Sequence, residues 1–86
     1  MPEVSRFLGI IIRMYFNEHQ PPHFHAIYGE YSAEFNIETL ELLEGELPRR
    51  VTALVIEWAA LHRHELRQNW KLARAQQALL NIEPLT

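Results

Sequence analysis

"HFHAIYGEYSAEFN", residues 23–36, alternates apolar and polar side chains on both sides of a Gly29-Glu30 pair, the pattern of a β-hairpin closed by a two-residue turn. Glycine at the first turn position fits type II′ and predicts the pairings Tyr28 with Tyr31, Ala26 with Ala33 and Phe24 with Phe35. These pairs form one continuous apolar face. The other face carries His25 opposite Glu34 and His23 opposite Asn36.

Upstream, Leu8, Ile10, Ile12, Met14 and Phe16 alternate with Gly9, Ile11, Arg13 and Tyr15, which predicts one strand over 8–16 with a fully apolar face. Within a shared sheet, Arg13 and Tyr15 project to the same side as the two histidines. Asn17 to Pro22 reads as a loop, because its two prolines break regular hydrogen bonding. Downstream, Leu40, Leu42 and Leu43 predict a further short strand ending in a glycine turn at Gly45. Pro48 suits the first position of a helix with Val51, Leu54, Val55, Trp58, Leu61 and His62 along one stripe. The apolar set then rotates to Leu66, Trp70 and Ala73, while Glu65 and Asn69 occupy core positions, so a bend or break is expected near 64–69. The closing "LLNIEPLT" reads as an edge strand or a segment packed across the end. The expected fold is α+β: an antiparallel sheet of three to four strands packed on one long or broken C-terminal helix, in a single domain over 1–86.

With 86 residues there is material for one core only. The absence of cysteine excludes disulfides and thiolate metal sites and fits a cytoplasmic protein. The apolar run Phe7 to Ile12 stops at Arg13, far short of the roughly 20 residues that span a bilayer, so no membrane association is expected. The net charge of −3 is segregated: six glutamates and no lysine or arginine lie between Glu30 and Glu46. Arg49 to Arg74 holds six cations against two glutamates. Overall acidity argues against affinity built on neutralising many phosphates.

His23 and His25, two apart on a strand, put their rings on one side with Cβ atoms about 7 Å apart. Four readings follow. With His19 or Glu34 supplying further ligands, His23 and His25 form a ligand set for zinc. Alternatively, Glu34 beside His25 makes an acid–base pair; with His23 as second acid or base, Arg13 as phosphate ligand and Tyr15 as positioning group, the set matches the residue types of small ribonucleases that use no cofactor. The third reading is an ordinary half-wet sheet face. The fourth is a face covered by a partner, a second copy included, because Ile11, Tyr15 and Ile27 otherwise leave an apolar cluster in water. If the histidine face is buried under the chain's own helix, the nuclease and metal readings fail together. His62 and His64 diverge around a helix, with His62 in the apolar stripe and His64 in solvent. Arg63, Arg67, Lys71 and Arg74 form a basic stripe expected on the far side from His23 and His25, either a solvated face or a contact strip for RNA or a partner.

The blocks "SRFLGIIIRMYFNEHQPPHFHAIYGEY" and "LPRRVTALVIEWAALHRHELRQNW", with the closing "IEPL", closely resemble the small bacterial proteins grouped as domain-of-unknown-function family 4160. The resemblance covers nearly the whole chain, and it marks His19, Pro21, Pro22, His23, Phe24, His25 and Tyr28 as motif residues. It implies a component of a toxin–antitoxin module whose partner is a small protein encoded by a neighbouring gene. The expected function is then an RNA-cleaving or RNA-binding component, with a non-catalytic module for a small protein partner as the alternative.

Overall fold

The structure is a computed structural model that describes residues 2–85. Five strands, β1 (Glu3–Phe7), β2 (Ile10–Arg13), β3 (His23–Tyr28), β4 (Tyr31–Asn36) and β5 (Leu42–Glu46), precede two helices, α1 (Arg49–Leu61) and α2 (Arg63–Arg74). The strands form one antiparallel sheet in sequence order. The fold is α+β, with one strand more than the three to four expected and two distinct helices. No helix among the described residues is long and apolar enough to cross a membrane.

The central hairpin has the predicted register: His23 pairs with Asn36, Phe24 with Phe35, His25 with Glu34, Ala26 with Ala33 and Tyr28 with Tyr31. Gly29 has φ 59° and Glu30 lies outside the left-handed region, as a turn with glycine first requires. Phe24, Ala26, Ala33 and Phe35 are buried together, and the Phe24 and Phe35 rings stack at 5.6 Å.

The single strand expected over 8–16 is a correction. Leu8 and Gly9 are a two-residue turn with φ 50° and 81°, and β1 pairs back on β2 from Phe7↔Ile10 to Glu3↔Arg13. Ile10, Ile12 and Met14 point into the core, whereas Leu8 and Phe16 are exposed. An Asn-Gly pair would have announced this turn; Leu8 concealed it by continuing the apolar alternation. Leucine is disfavoured at positive φ, where asparagine is tolerated. Leu8→Asn is therefore expected to raise stability by about 0.5–1 kcal/mol in chemical denaturation.

Gly45 is also corrected, from a turn to a position inside β5. It pairs with Ala33, and a Cβ there would stand 2.2 Å from the Ser32 carbonyl oxygen. The register slips at Leu43, since Glu34 faces Glu44 and Phe35 faces Leu42, which leaves Leu43 as the extra residue of a bulge.

Trp58 on α1 is fully buried against Phe7 at 5.5 Å and Phe24 at 5.9 Å, fixing this helix on the apolar face of the sheet. Val51, Val55 and Ala59 bury beside it, whereas Leu61, expected in the stripe, is exposed. The break comes at His62, earlier than the expected 64–69, where φ −122° and ψ 24° interrupt the helix. The new direction buries Leu66, Asn69, Trp70 and Ala73. Asn69 donates from Nδ2 to the Leu80 carbonyl oxygen at 2.8 Å and accepts from the Leu80 N–H at 2.9 Å. A buried amide thus binds the tail, which explains a polar residue in the core stripe. The tail packs across the end without forming a strand: Ile82 N–H donates to Val4 and Trp58 Nε1–H to Glu83.

The near end of α2 is tied to the β4–β5 connection. Arg67 donates through Nε and Nη2 to Glu38 at 2.7 Å each, and this guanidinium holds the Glu38 carboxyl below its usual range. A carboxyl lowered in the folded state contributes stability above its unfolded pKa and loses it as pH falls through the folded value. Arg67→Ala is therefore expected to lower Tm at pH 7 by no more than about two degrees, because the pair is exposed, and to have a smaller effect at acidic pH, as Glu38 takes up a proton. Thermal melts at neutral and acidic pH check this.

Candidate metal centre

The sheet supplies two candidate ligands and the β2–β3 connection a third. His23 and His25 share one face of β3, with ring centroids 5.3 Å apart. Asn17 to Pro22 folds back over that face and delivers Glu18. One carboxylate oxygen, Glu18 Oε1, lies 2.5 Å from His25 Nε2 and 3.1 Å from His23 Nε2. Glu18, His23 and His25 each offer a ligand atom within 4.8 Å of the others. Glu34, from the neighbouring strand, stands just outside: Oε1 is 3.6 Å from His23 Nε2 and Oε2 is 3.9 Å from His25 Nδ1.

The tautomer of His23 follows from its second contact. Nδ1 is 2.8 Å from the Pro21 carbonyl oxygen, an atom that can only accept, so Nδ1 carries the hydrogen. A neutral ring in that tautomer has a lone pair on Nε2, and here it faces a carboxylate oxygen. A lone pair there is repelled by the carboxylate unless a positive centre lies between them, either a metal ion or the second proton of an imidazolium donating from Nε2 to Glu18. Metal-bound histidines recurrently show this arrangement, donating the far N–H to a backbone carbonyl that fixes the ring.

Part of α2 covers the site. Trp70 packs on His23 with centroids 5.3 Å apart, and His23 keeps only 6% of its surface accessible. This corrects two expectations: His23 is not turned to water, and the Arg74 end of the basic stripe is not on the far side. Arg74 Nη1 donates to the Glu18 carbonyl oxygen at 3.4 Å, and Gln76 Nε2 to Asn17 Oδ1 at 3.0 Å. The end of α2 thereby holds the loop that presents Glu18. The cluster is not sealed. A depression lined by Glu18, His19, Gln20, His23, Glu34 and Glu44 opens it to solvent, and His25 remains partly accessible.

The other residues singled out from sequence fall around this centre or away from it. Arg13 pairs with His25 across β2 and β3, and its Nε is buried without a hydrogen-bond partner. The Tyr15 ring meets His25 edge-on at 4.7 Å. His19 is exposed and stands outside the ligand group. Of the basic stripe, Arg63 donates to the Ile37 carbonyl oxygen at 3.2 Å, Arg67 and Arg74 are engaged as described, and Lys71 is exposed. His62 is half-buried beside Trp58 and 3.0 Å from Glu65, while His64 faces solvent. Glu18 is the residue that sequence reasoning missed. Its position depends on how a proline-containing loop returns across the sheet, and no periodicity encodes that return.

Neither the curated proteins nor the solved structures include a match to this chain. The family described as "Domain of unknown function (DUF4160)" matches residues 9–71, which takes in all of β2 to α1, the Glu18 loop and both strand histidines. That match spans more than half of the sequence and includes Glu18, His23 and His25, and the chain belongs to this family.

Proposed function

We propose that the protein is a metal-binding domain whose centre takes one divalent ion of the zinc class. His23 Nε2, His25 Nε2 and a Glu18 carboxylate oxygen are the ligands, and Glu34 is the adjacent carboxylate that supports them. The observation that carries this reading is the convergence of Glu18, His23 and His25, whose ligand atoms lie within 4.8 Å of one another. Electrostatics point the same way: Glu18, Glu34 and Glu44 around one depression attract a cation and repel a phosphate. Imidazole and carboxylate donors without thiolate suit zinc and its neighbours among the divalent transition metals. Three protein ligands with access to solvent leave a position for water, and an ion so held supplies Lewis-acid activation of that water for hydrolysis.

Titration of zinc into protein prepared without a polyhistidine tag tests the reading. One equivalent is expected to bind, and Glu18→Ala with His25→Ala is expected to abolish that binding. Equal binding by the wild type and this double variant would refute the centre.

A second reading is the ion-free acid–base surface of a cytoplasmic bacterial toxin–antitoxin component acting on RNA. Its support is the assembly of Arg13 and Tyr15 beside His25, with Arg13 Nε lacking a partner. His25 and Glu34 are then the acid–base pair and Arg13 the phosphate ligand. RNA cleavage that survives exhaustive chelation and is lost in Arg13→Ala would favour this reading over the metal centre.

A further inference from the structure

The two edges of the sheet are finished differently. At β1 the chain covers its own edge, because Ile82 N–H donates to Val4. At β5 no further strand follows among the described residues, and all five residues of the strand are exposed. An edge strand directs alternate N–H and C=O groups outward, where they are a template for another strand. Charge and a bulge are common ways to blunt such an edge, and β5 has both. It also carries what a blunted edge omits: Leu42 and Leu43 are 51% and 41% exposed, and Tyr31, at the opposite end of the edge near Glu46, is 43% exposed. Leucines kept in water along an open ladder are the mark of a contact surface.

We infer that β5 accepts an added strand from a different protein, one whose extended segment alternates lysine or arginine with apolar residues. The two faces of β5 set this alternation. Leu42 pairs with Phe35, on the helix-covered side of the sheet, so apolar side chains of the added strand extend the core there. Glu44 and Glu46 pair with Glu34 and Ser32 on the histidine side, so cations of the added strand stand opposite carboxylates. At the far end of the edge, Tyr28, Glu30, Tyr31 and Glu46 line a hollow with two aromatic rings and two carboxylates, a site for one more cationic side chain.

A second copy of this chain does not satisfy the same surface. Antiparallel pairing of β5 with itself sets glutamate rows against glutamate rows, and the net charge of −3 adds repulsion between copies. Six of the eight lysines and arginines of this chain lie on the two helices, and three of the four on α2 are engaged within the molecule. The occupant is therefore heterologous and basic. Because Leu43 and Glu44 also line the depression that reaches His23, the added strand borders the mouth of the metal centre without supplying a ligand to it.

The test uses the whole chain and three capped ten-residue peptides: alternating lysine and valine, alternating glutamate and valine, and a block of five lysines followed by five valines. Amide hydrogen exchange is followed residue by residue. The alternating lysine peptide is expected to slow exchange in residues 42–46 at least tenfold, to weaken between 50 and 200 mM salt, and to outcompete the other two. Glu44→Lys with Glu46→Lys is expected to reverse the preference toward the glutamate peptide while leaving Tm unchanged. Protection confined to α2, equal binding of all three peptides, no added protection at 42–46, or a dimer protecting these amides without peptide would each overturn the inference. Salt dependence in the unsubstituted protein reads the same charge pairing if the double variant fails to fold.

Discussion

Alanine at His25 is expected to lower zinc affinity by more than about 100-fold while the fold persists. Removing an outer partner of a metal ligand already weakens binding about 10–100-fold, so loss of a direct ligand exceeds that range. His25 is the best single test because it is partly accessible and its ring packs only edge-on, against Tyr15 and His23. His23→Ala is expected to weaken binding as strongly and also to destabilise the protein, because it opens a cavity against Trp70. Glu34→Gln should fall within the range of an outer partner, about 10–100-fold, since its oxygens are 3.6 and 3.9 Å from the imidazole nitrogens. His19→Ala should change nothing, because the exposed His19 lies outside the group. Isothermal titration with each variant gives the order. A flat series, or one in which His19 matters and Glu18 does not, would place the ion elsewhere.

Gly45→Ala is expected to destabilise the protein by about 2–4 kcal/mol, a fall in Tm of roughly 10–20 °C for a domain of this size. The added Cβ meets Ser32 O at 2.2 Å and Ala33 Cα at 3.0 Å, both backbone atoms of β4. That strand is held on its other side by six residue pairs with β3, so it cannot retreat. The backbone at Gly45 has φ 79°, which adds about 1–2 kcal/mol of strain for any residue with a Cβ. Withdrawal of β5 from the sheet is the cheaper response and limits the total effect. Gly29→Ala is the internal control: its φ of 59° gives similar strain, but nothing lies within 4 Å of the new atom. It should lose about 1 kcal/mol. A Gly45 variant that melts within two degrees of the unsubstituted protein would show that β5 does not pack on β4 as described.

The sequence was most informative where local chemistry and pattern agreed. In residues 23–36 the alternation, the glycine at the turn and the matched pairs all specify one register, and a slip of one residue would have turned Phe24 and Phe35 outward. The first hairpin lacked that agreement, because Leu8 occupies a position where asparagine or glycine normally marks the turn. Gly45 looked like punctuation, yet its lack of a side chain serves a close backbone approach inside a strand. The helix break was visible as a rotation of the apolar stripe, but His62 has no glycine or proline chemistry to locate it. Asn69 seemed misplaced only because its partner, the Leu80 backbone, lies in a tail without periodicity. The candidate site divides the same way. Strand periodicity put His23, His25, Glu34, Arg13 and Tyr15 on one face, whereas Glu18 and the covering Trp70 arrive through a loop return and a helix crossing.

X-ray absorption at the zinc edge, on untagged protein loaded with one equivalent, tests the central claim most directly. Two imidazole nitrogens near 2.0–2.1 Å with one or two carboxylate or water oxygens are expected, and the imidazole signal should fall to one in His25→Ala. A first shell of oxygen alone, or three imidazoles including His19, would contradict the assignment of Glu18, His23 and His25 as the metal ligands.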